Sequence, residues 1–286
     1  MLRHPEWLKV KIGGGENYVK IKTLLRKTRL HTICEEAKCP NIAECFGNGT
    51  AAFLILGDIC TRNCRYCNVK HGKPLPLNPN EPKYVAESVK TLGLKYVVIT
   101  SVTRDDLPDG GATVFHKTVK EIKKTNNGCR VEVLIPDFNG NEEALQLVVD
   151  AQPDVINHNI EVVKGLFPEI RPQGDYDRSL SILKMIKEFD KKITTKSGLM
   201  VGLGETKKQI LETLQDLREN GVDILTIGQY LQTTREHAEV KKYYTPKEFD
   251  EFKTIALSMG FKHVESGPLV RSSYHAEQAL AEVIGL

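Results

Sequence analysis

Cys60-Thr61-Arg62-Asn63-Cys64-Arg65-Tyr66-Cys67 follows closely on the apolar run Ala51 to Leu56 and sets three thiols within eight residues. A strand-like run that empties into a thiol-bearing loop marks the carboxyl end of a strand, where α/β enzymes carry their chemistry. One short loop can aim three sulfurs at a single point. Zinc and closed four-iron clusters take four protein ligands, usually from two CxxC pairs, so an odd triad leaves one metal position open for a substrate. Three incidental buried cysteines are the plain alternative, and for Tyr66 the plain alternative is loop packing.

Outward from this loop, short apolar runs alternate with longer amphipathic ones. The apolar runs are Ala51 to Leu56, Tyr96 to Thr100, Arg130 to Leu134, Val155 to Asn157, Thr195 to Val201 and Ile224 to Ile227, six expected strands. Helical patterns lie near Tyr84 to Leu92, Thr113 to Lys124, Glu142 to Asp150, Arg178 to Phe189 and Thr206 to Asn220, and another follows the last strand. Thr245-Pro246-Lys247-Glu248 predicts a helix start with a capping box and proline in the first turn. The alternation implies an α/β fold, an incomplete parallel (β/α)6 TIM-like barrel with N-terminal and C-terminal extensions. We expect residues 1–50 to form the first extension, 51–262 the barrel and 263–286 a C-terminal tail. The residues after each run, among them Thr103 to Asp106, Pro136-Asp137, His158-Asn159, Gly202 to Glu205 and Gln229-Tyr230, are polar or flexible, as a site at the strand ends requires.

At 286 residues the chain buries an ample core without staples. Forty basic against thirty-seven acidic residues give a net charge of +3, too little to argue for nucleic acid. Seven cysteines, six of them in two triads with Cys129 alone, point to metal in a reducing compartment rather than to a disulfide framework, hence to the cytoplasm. The N-terminal stretch lacks an apolar signal core, and no apolar run approaches the roughly 20 residues of a membrane helix. The expectation is a protein with no membrane and no nucleic-acid partner.

The CxxxCxxC spacing with an aromatic before the third cysteine resembles the radical S-adenosylmethionine (SAM) family, in which the open iron holds SAM and the aromatic lies beside the adenine. A second triad, Cys34, Cys39 and Cys45, has a spacing foreign to zinc fingers and ferredoxins. Together with Arg271-Ser272-Ser273-Tyr274-His275-Ala276, the two triads resemble the lipoyl synthase family over essentially the whole chain. That resemblance implies two [4Fe-4S] clusters, one on Cys60, Cys64 and Cys67, the other on Cys34, Cys39 and Cys45 with a serine as fourth ligand. The serine is Ser273, with Ser272 the lesser candidate; read without the resemblance, both are turn residues. A hard oxygen ligand is easier to displace from such a cluster than a thiolate.

The resemblance extends to His158-Asn159-Ile160-Glu161, Arg171-Pro172 with Tyr176 to Leu180, Gly198 to Glu205 and Gly228 to Leu231. It implies that Tyr66, Asn159, Glu161, Arg178, Gly198 and Gly202 hold SAM, through ribose hydroxyls, a carboxylate and close backbone approach. Thr233 departs from the proline usual in that loop. The implied reaction is insertion of sulfur at C6 and C8 of a protein-bound octanoyl-lysine, with the auxiliary cluster consumed as donor. Implied partners are an octanoylated lipoyl-carrier domain or glycine-cleavage H protein, ferredoxin or flavodoxin as reductant, and an iron-sulfur cluster carrier. Two other readings share some of these residues. A tRNA methylthiotransferase would add an RNA-binding module that the chain lacks, and a cluster store leaves the polar strand ends without a purpose.

Overall fold

The computed structural model describes residues 4–10, 14–47 and 50–285. The chain divides into two compact units, one built from Val10–Arg62 and Asn68–Ile156, the other from the segment ending at Lys9, from Asn63–Cys67 and from the chain from Asn157 onward.

In the first unit, α1 (Glu16–Thr28), β1 (His31–Thr32), α2 (Ile33–Glu36) and α3 (Ile42–Gly47) precede β2 (Ala52–Ile55). A small parallel pair, β3 (Ile59–Cys60) and β4 (Lys70–His71), comes next. The βα succession then runs α4 (Glu81–Leu92), β5 (Tyr96–Ser101), α5 (Ala112–Thr125), β6 (Arg130–Leu134) and α6 (Glu142–Asp150), with β7 (Val155–Asn157) where the chain passes to the second unit. β2 pairs in parallel with β5, and β5 with β6, while β1 lies antiparallel on β2. All four residues of β2 and the first five of β5 are buried. Strands covered on both faces read as unbroken apolar runs, which is why these were visible in the sequence. α4 ends where Gly93 turns left-handed at φ 67°, its N–H capping the carbonyls of Val89 and Lys90.

The second unit contains α7 (Phe167–Ile170), α8 (Tyr176–Phe189), β8 (Thr194–Val201), α9 (Lys207–Glu219), β9 (Ile224–Gln229), α10 (Pro246–Ser258), β10 (His263–Gly267) and α11 (Ala276–Ile284). β9 pairs in parallel with β8 on one side and β10 on the other. The capping box expected at Thr245 forms: its hydroxyl accepts the Glu248 N–H at 3.3 Å, and the Glu248 carboxylate accepts the Thr245 N–H at 2.8 Å. Phe249, Phe252 and Ala256 carry the apolar stripe of α10 into a core shared with Ile210, Leu214 and Leu217 of α9. The six expected strands all form, within two residues of their bounds. β10 is an addition, because His263-Val264-Glu265-Ser266-Gly267 has too little apolar character to announce a strand.

Candidate functional site

In the first unit two short turns gather the second triad, Cys34, Cys39 and Cys45. The Thr32 hydroxyl caps α2 by accepting the Glu35 N–H at 3.3 Å, which sets Cys34 on the buried side of a single helical turn. Lys38 then turns left-handed at φ 50°, and the Cys39 N–H closes back on the Cys34 carbonyl at 3.0 Å. α3 begins at once and delivers Cys45, whose carbonyl is held by both the N–H and the hydroxyl of Thr50, at 2.8 and 2.9 Å. Burial, then the neighbouring Cys39 and Cys45 charges, push the Cys34 thiol up to about 12. Burial, Cys39 and Glu44 push Cys45 up to about 11. Three neighbouring thiolates, one buried and two half-buried, would repel one another, and a positively charged iron centre removes that cost while being matched by an all-sulfur donor set. The triad therefore fits an iron-sulfur cluster.

Cys60 ends β3 in the same unit, and its sulfur accepts the backbone N–H groups of Arg62 at 3.4 Å and Thr103 at 3.3 Å. The Arg62 side chain turns inward to Asp105 and Asp137. Burial works against its charge, and the bonds to the two carboxylates outweigh it, so the guanidinium stays charged. Arg104, among the polar residues after β5, is likewise spent on structure, gripping Asp106 at 2.9 Å and the Leu56 carbonyl at 3.1 Å.

In the second unit Cys64 and Cys67 form one turn, with the Cys67 N–H on the Cys64 carbonyl at 3.0 Å. The flanking loop is tied down on both sides: the Arg65 N–H bonds the Ile170 carbonyl at 2.9 Å, and its carbonyl accepts the Ala238 N–H at 2.8 Å. His237 Nε2 lies 2.9 Å from the Cys67 carbonyl, so that nitrogen carries the proton and Nδ1 is left to accept from Thr234 at 2.8 Å and Thr233 at 3.3 Å. Thr233, the departure from the family's usual proline, thus helps set the tautomer of His237.

Around Tyr66 the second unit assembles a polar group. Burial of its hydroxyl end, then the Glu161, Cys64 and Cys67 charges, raise Tyr66 well above its ordinary value, against Arg171. Burial also raises Glu161, opposed by Arg171, Asn159 and a bond from Tyr66. The Asn159 amide donates to Glu161 at 3.1 Å and to the Ser272 hydroxyl at 2.6 Å. Arg171 donates to the carbonyls of Asn159 and Ile160 at 3.2 and 3.0 Å. Glu161 has φ 68° and is pinned in parallel to β8, its N–H on the Gly198 carbonyl at 2.9 Å and its own carbonyl on the Met200 N–H at 2.8 Å. A non-glycine residue held left-handed by a ladder is the kind of strain that sites carry. Asn159 Oδ1 and Arg171 Nε are buried without a hydrogen-bond partner among the described residues, which leaves one acceptor and one donor for a bound ligand.

The two site glycines answer to packing. A Cβ on Gly198 would stand 2.8 Å from both Asn159 Oδ1 and Thr226 Oγ1. On Gly202, at φ 110°, it would stand 2.1 Å from Gln229 Nε2 and 2.6 Å from the Lys242 carbonyl. Glu205 turns back to accept the N–H groups of Gly202 and Leu203 at 2.6 and 2.9 Å. Arg178 stands in the first turn of α8, its N–H held by the capping Asp175 at 2.7 Å. Ser273 lies half-buried in the turn between β10 and α11, and its hydroxyl, unlike that of Ser272, has no hydrogen-bond partner among the described residues. Sequence reasoning missed His237 and the inward role of Arg62. Their partners are remote in the chain, and only the polarity of their loops marked them.

Similarities to known proteins agree with this picture. The model of the radical SAM superfamily matches residues 54–217, and that of the N-terminal domain of lipoyl synthase matches residues 1–39. A lipoyl synthase of Shouchella clausii is 57% identical over 97% of this chain and 90% of its own length. One of Rubrobacter xylanophilus is 56% identical over 96% and 85%. Among solved structures, methylornithine synthase (PylB) is similar with a TM-score of 0.54 at 14% identity, covering 88% of this chain and 83% of that one. Streptococcus suis SuiB bound to SAM reaches 0.59 at 14% identity, over 80% and 54%. The fold is thus the α/β (β/α)6 partial barrel of the radical SAM enzymes. No helix among the described residues is long and apolar enough to cross a membrane.

Proposed function

The chain belongs to the lipoyl synthase family of radical SAM enzymes, and from that premise we propose how its residues carry the insertion of sulfur at C6 and C8 of an octanoyl chain held on a lysine of a lipoyl-carrier protein. The observation that carries the reading is the second triad: Cys34, Cys39 and Cys45, gathered by α2, the turn after it and α3, outside the CxxxCxxC loop, which SAM cleavage alone has no need of. When bound, SAM and the two [4Fe-4S] clusters supply a radical able to take hydrogen from an unactivated carbon, and the sulfur that replaces it. No side-chain base removes a proton from an alkane at neutral pH, so this chain's residues bind, orient and exclude water.

Cys60, Cys64 and Cys67 hold the cluster that meets SAM, and Cys34, Cys39 and Cys45 with Ser273 hold the auxiliary one. The Ser272 hydroxyl is already taken by Asn159, which favours Ser273 as the free oxygen ligand. Tyr66 packs beside the adenine, and Asn159 and Glu161 receive the ribose hydroxyls. Arg178 faces a carboxylate, while Gly198 and Gly202 serve the cofactor site through packing, their missing side chains letting Asn159 and Gln229 stand close. By this reading residues 1–50 carry the auxiliary site, 51–262 the radical SAM barrel and 263–286 the segment that closes the auxiliary site. The enzyme works in the cytoplasm with an octanoylated carrier domain or glycine-cleavage H protein, a ferredoxin or flavodoxin, and a cluster carrier.

The test is to load the chain anaerobically with iron and sulfide and to incubate it with SAM, dithionite and an octanoyl-lysine peptide. The expected products are 5'-deoxyadenosine and a peptide heavier by two sulfur atoms. Deoxyadenosine with no sulfur gain would overturn the substrate, and neither product would overturn the enzyme.

A further inference from the structure

Between the first two cysteines of the CxxxCxxC loop, Arg62 is only 5% exposed at its side chain. Its Nε and Nη2 grip both oxygens of Asp105 at 2.8 and 2.9 Å, and Nη1 and Nη2 grip both oxygens of Asp137 at 3.0 and 2.7 Å. Nη2 also reaches Asn139 Oδ1 at 2.8 Å. Two carboxylates bind one planar fork bidentately, a geometry that lysine cannot reproduce.

The anchors are themselves fixed. The Asn139 amide bonds Asp105 at 2.9 Å, its N–H bonds Asp137 at 3.1 Å, and it sits left-handed at φ 53° beside Phe138 at φ 45°. Thr61 joins the same seam: its hydroxyl donates to the Thr103 carbonyl at 3.0 Å and accepts the Asp105 N–H at 3.1 Å. The residues from Cys60 to Arg62 are therefore stitched to the loops that follow β5 and β6, and the two amides on the Cys60 sulfur, from Arg62 and Thr103, come from the two sides of that seam.

We propose that Arg62 is a positioning residue for the SAM-binding cluster, holding the Cys60 sulfur in place through Asp105 and Asp137, and that these two carboxylates serve this clamp and do not touch SAM. This rests on the assignment of Cys60, Cys64 and Cys67 as cluster ligands. It gives a purpose to polar residues at the ends of β5 and β6 that otherwise pass for substrate contacts. Partners one layer out from a metal's ligands typically alter metal affinity by roughly 10- to 100-fold.

The experiment compares Arg62→Lys, Asp105→Asn and Asp137→Asn with the unsubstituted chain after anaerobic loading of both clusters. Three quantities are read: the rate at which a chelator strips each cluster, the electron paramagnetic resonance of the reduced protein with and without SAM, and SAM affinity from that titration. The two clusters are told apart by repeating each measurement in a Cys39→Ala background. The expectation is that Arg62→Lys loses the SAM-binding cluster at least roughly tenfold faster, with an altered resonance, while the auxiliary cluster is stripped at its normal rate. Asp105→Asn, on the more exposed of the two carboxylates, should show the same change in smaller degree, and it keeps the question answerable should Arg62→Lys fold poorly. Normal stripping and resonance in all three variants would overturn the proposal. So would weakened SAM binding with a normal cluster in the Asp variants, which would make them SAM contacts, and so would equal loss of both clusters, which would mean general damage. If the unsubstituted chain loads no cluster at Cys60, the functional reading itself fails, an outcome distinct from any of these.

Discussion

Replacing Gly202 with alanine should destabilise the bare polypeptide, with no iron or SAM present. The added methyl would lie 2.1 Å from Gln229 Nε2 and 2.6 Å from the Lys242 carbonyl. Gln229 has nowhere to go: its Nε2 donates to the carbonyls of Val201, Tyr230 and Lys242 at 3.0, 3.1 and 2.9 Å, and its Oε1 accepts the Tyr244 N–H at 2.9 Å. Overpacking of this kind costs about 1–3 kcal/mol. The φ of 110° adds strain for any L side chain, about 1–3 kcal/mol. Each hydrogen bond of Gln229 given up in relief costs about 0.5–1.5 kcal/mol more. A loss of about 3–5 kcal/mol is a large part of the roughly 5–15 kcal/mol that holds a folded protein together. At about 2–4 °C per kcal/mol, the melting temperature should fall by at least roughly 6 °C.

The assay is thermal unfolding of the cluster-free chain under reducing conditions, with Gly198→Ala as comparison. That second variant meets only side-chain atoms, the nearest at 2.8 Å, and without a strained φ, so its loss should be smaller, about 1–3 kcal/mol. Its larger effect should appear on SAM binding, because the side chain that must give way is Asn159. If Gly202→Ala melts within about 2 °C of the parent chain yet binds no SAM, Gly202 is a cofactor contact and the packing account is wrong.

Cys64→Ala should abolish SAM cleavage and remove roughly half of the iron, whereas Cys39→Ala should still cleave SAM and insert no sulfur; lipoyl product from the Cys39 variant would make the sulfur donor something else. Ser273→Cys puts a softer, tighter ligand where an oxygen must leave, so the auxiliary cluster should assemble but release sulfur poorly, and Ser273→Ala should assemble a cluster that chelators strip more readily. Product formed per auxiliary cluster decides this, and loss confined to Ser272→Ala would move the ligand by one position. Glu161 gives a pH effect: burial raises it above the ordinary 4.5, so the native chain holds this proton more tightly than the unfolded one. The resulting stability is fully present below that ordinary value and is lost as pH rises through the raised native one. Glu161→Gln should flatten this component of melting temperature against pH, and an unchanged profile would place the carboxylate in water.

What could be read from the sequence was whatever the chain keeps local. The thiols of the CxxxCxxC loop fall within eight residues and those of the other triad within twelve, and parallel strands buried on both faces leave apolar runs that need no partner to be noticed. β10 escaped because its stability comes from pairing with β9 and from its buried His263 and Val264, not from an apolar pattern of its own. The polar framework of the site escaped for a related reason. Arg62 meets Asp105 and Asp137 across 43 and 75 residues, Asn159 meets Ser272 across 113, and His237 meets Cys67 across 170. A hydrogen bond leaves no periodic trace, so each of these side chains reads as one more polar loop residue until the fold supplies its partner. The consequence for the site is specific. Several polar residues expected at the strand ends to serve the site, Arg104, Asp105, Asp137, Glu205 and Gln229, are satisfied by the protein itself. In the cluster of Tyr66, Asn159, Glu161 and Arg171, by contrast, Asn159 Oδ1 and Arg171 Nε are buried without a hydrogen-bond partner among the described residues.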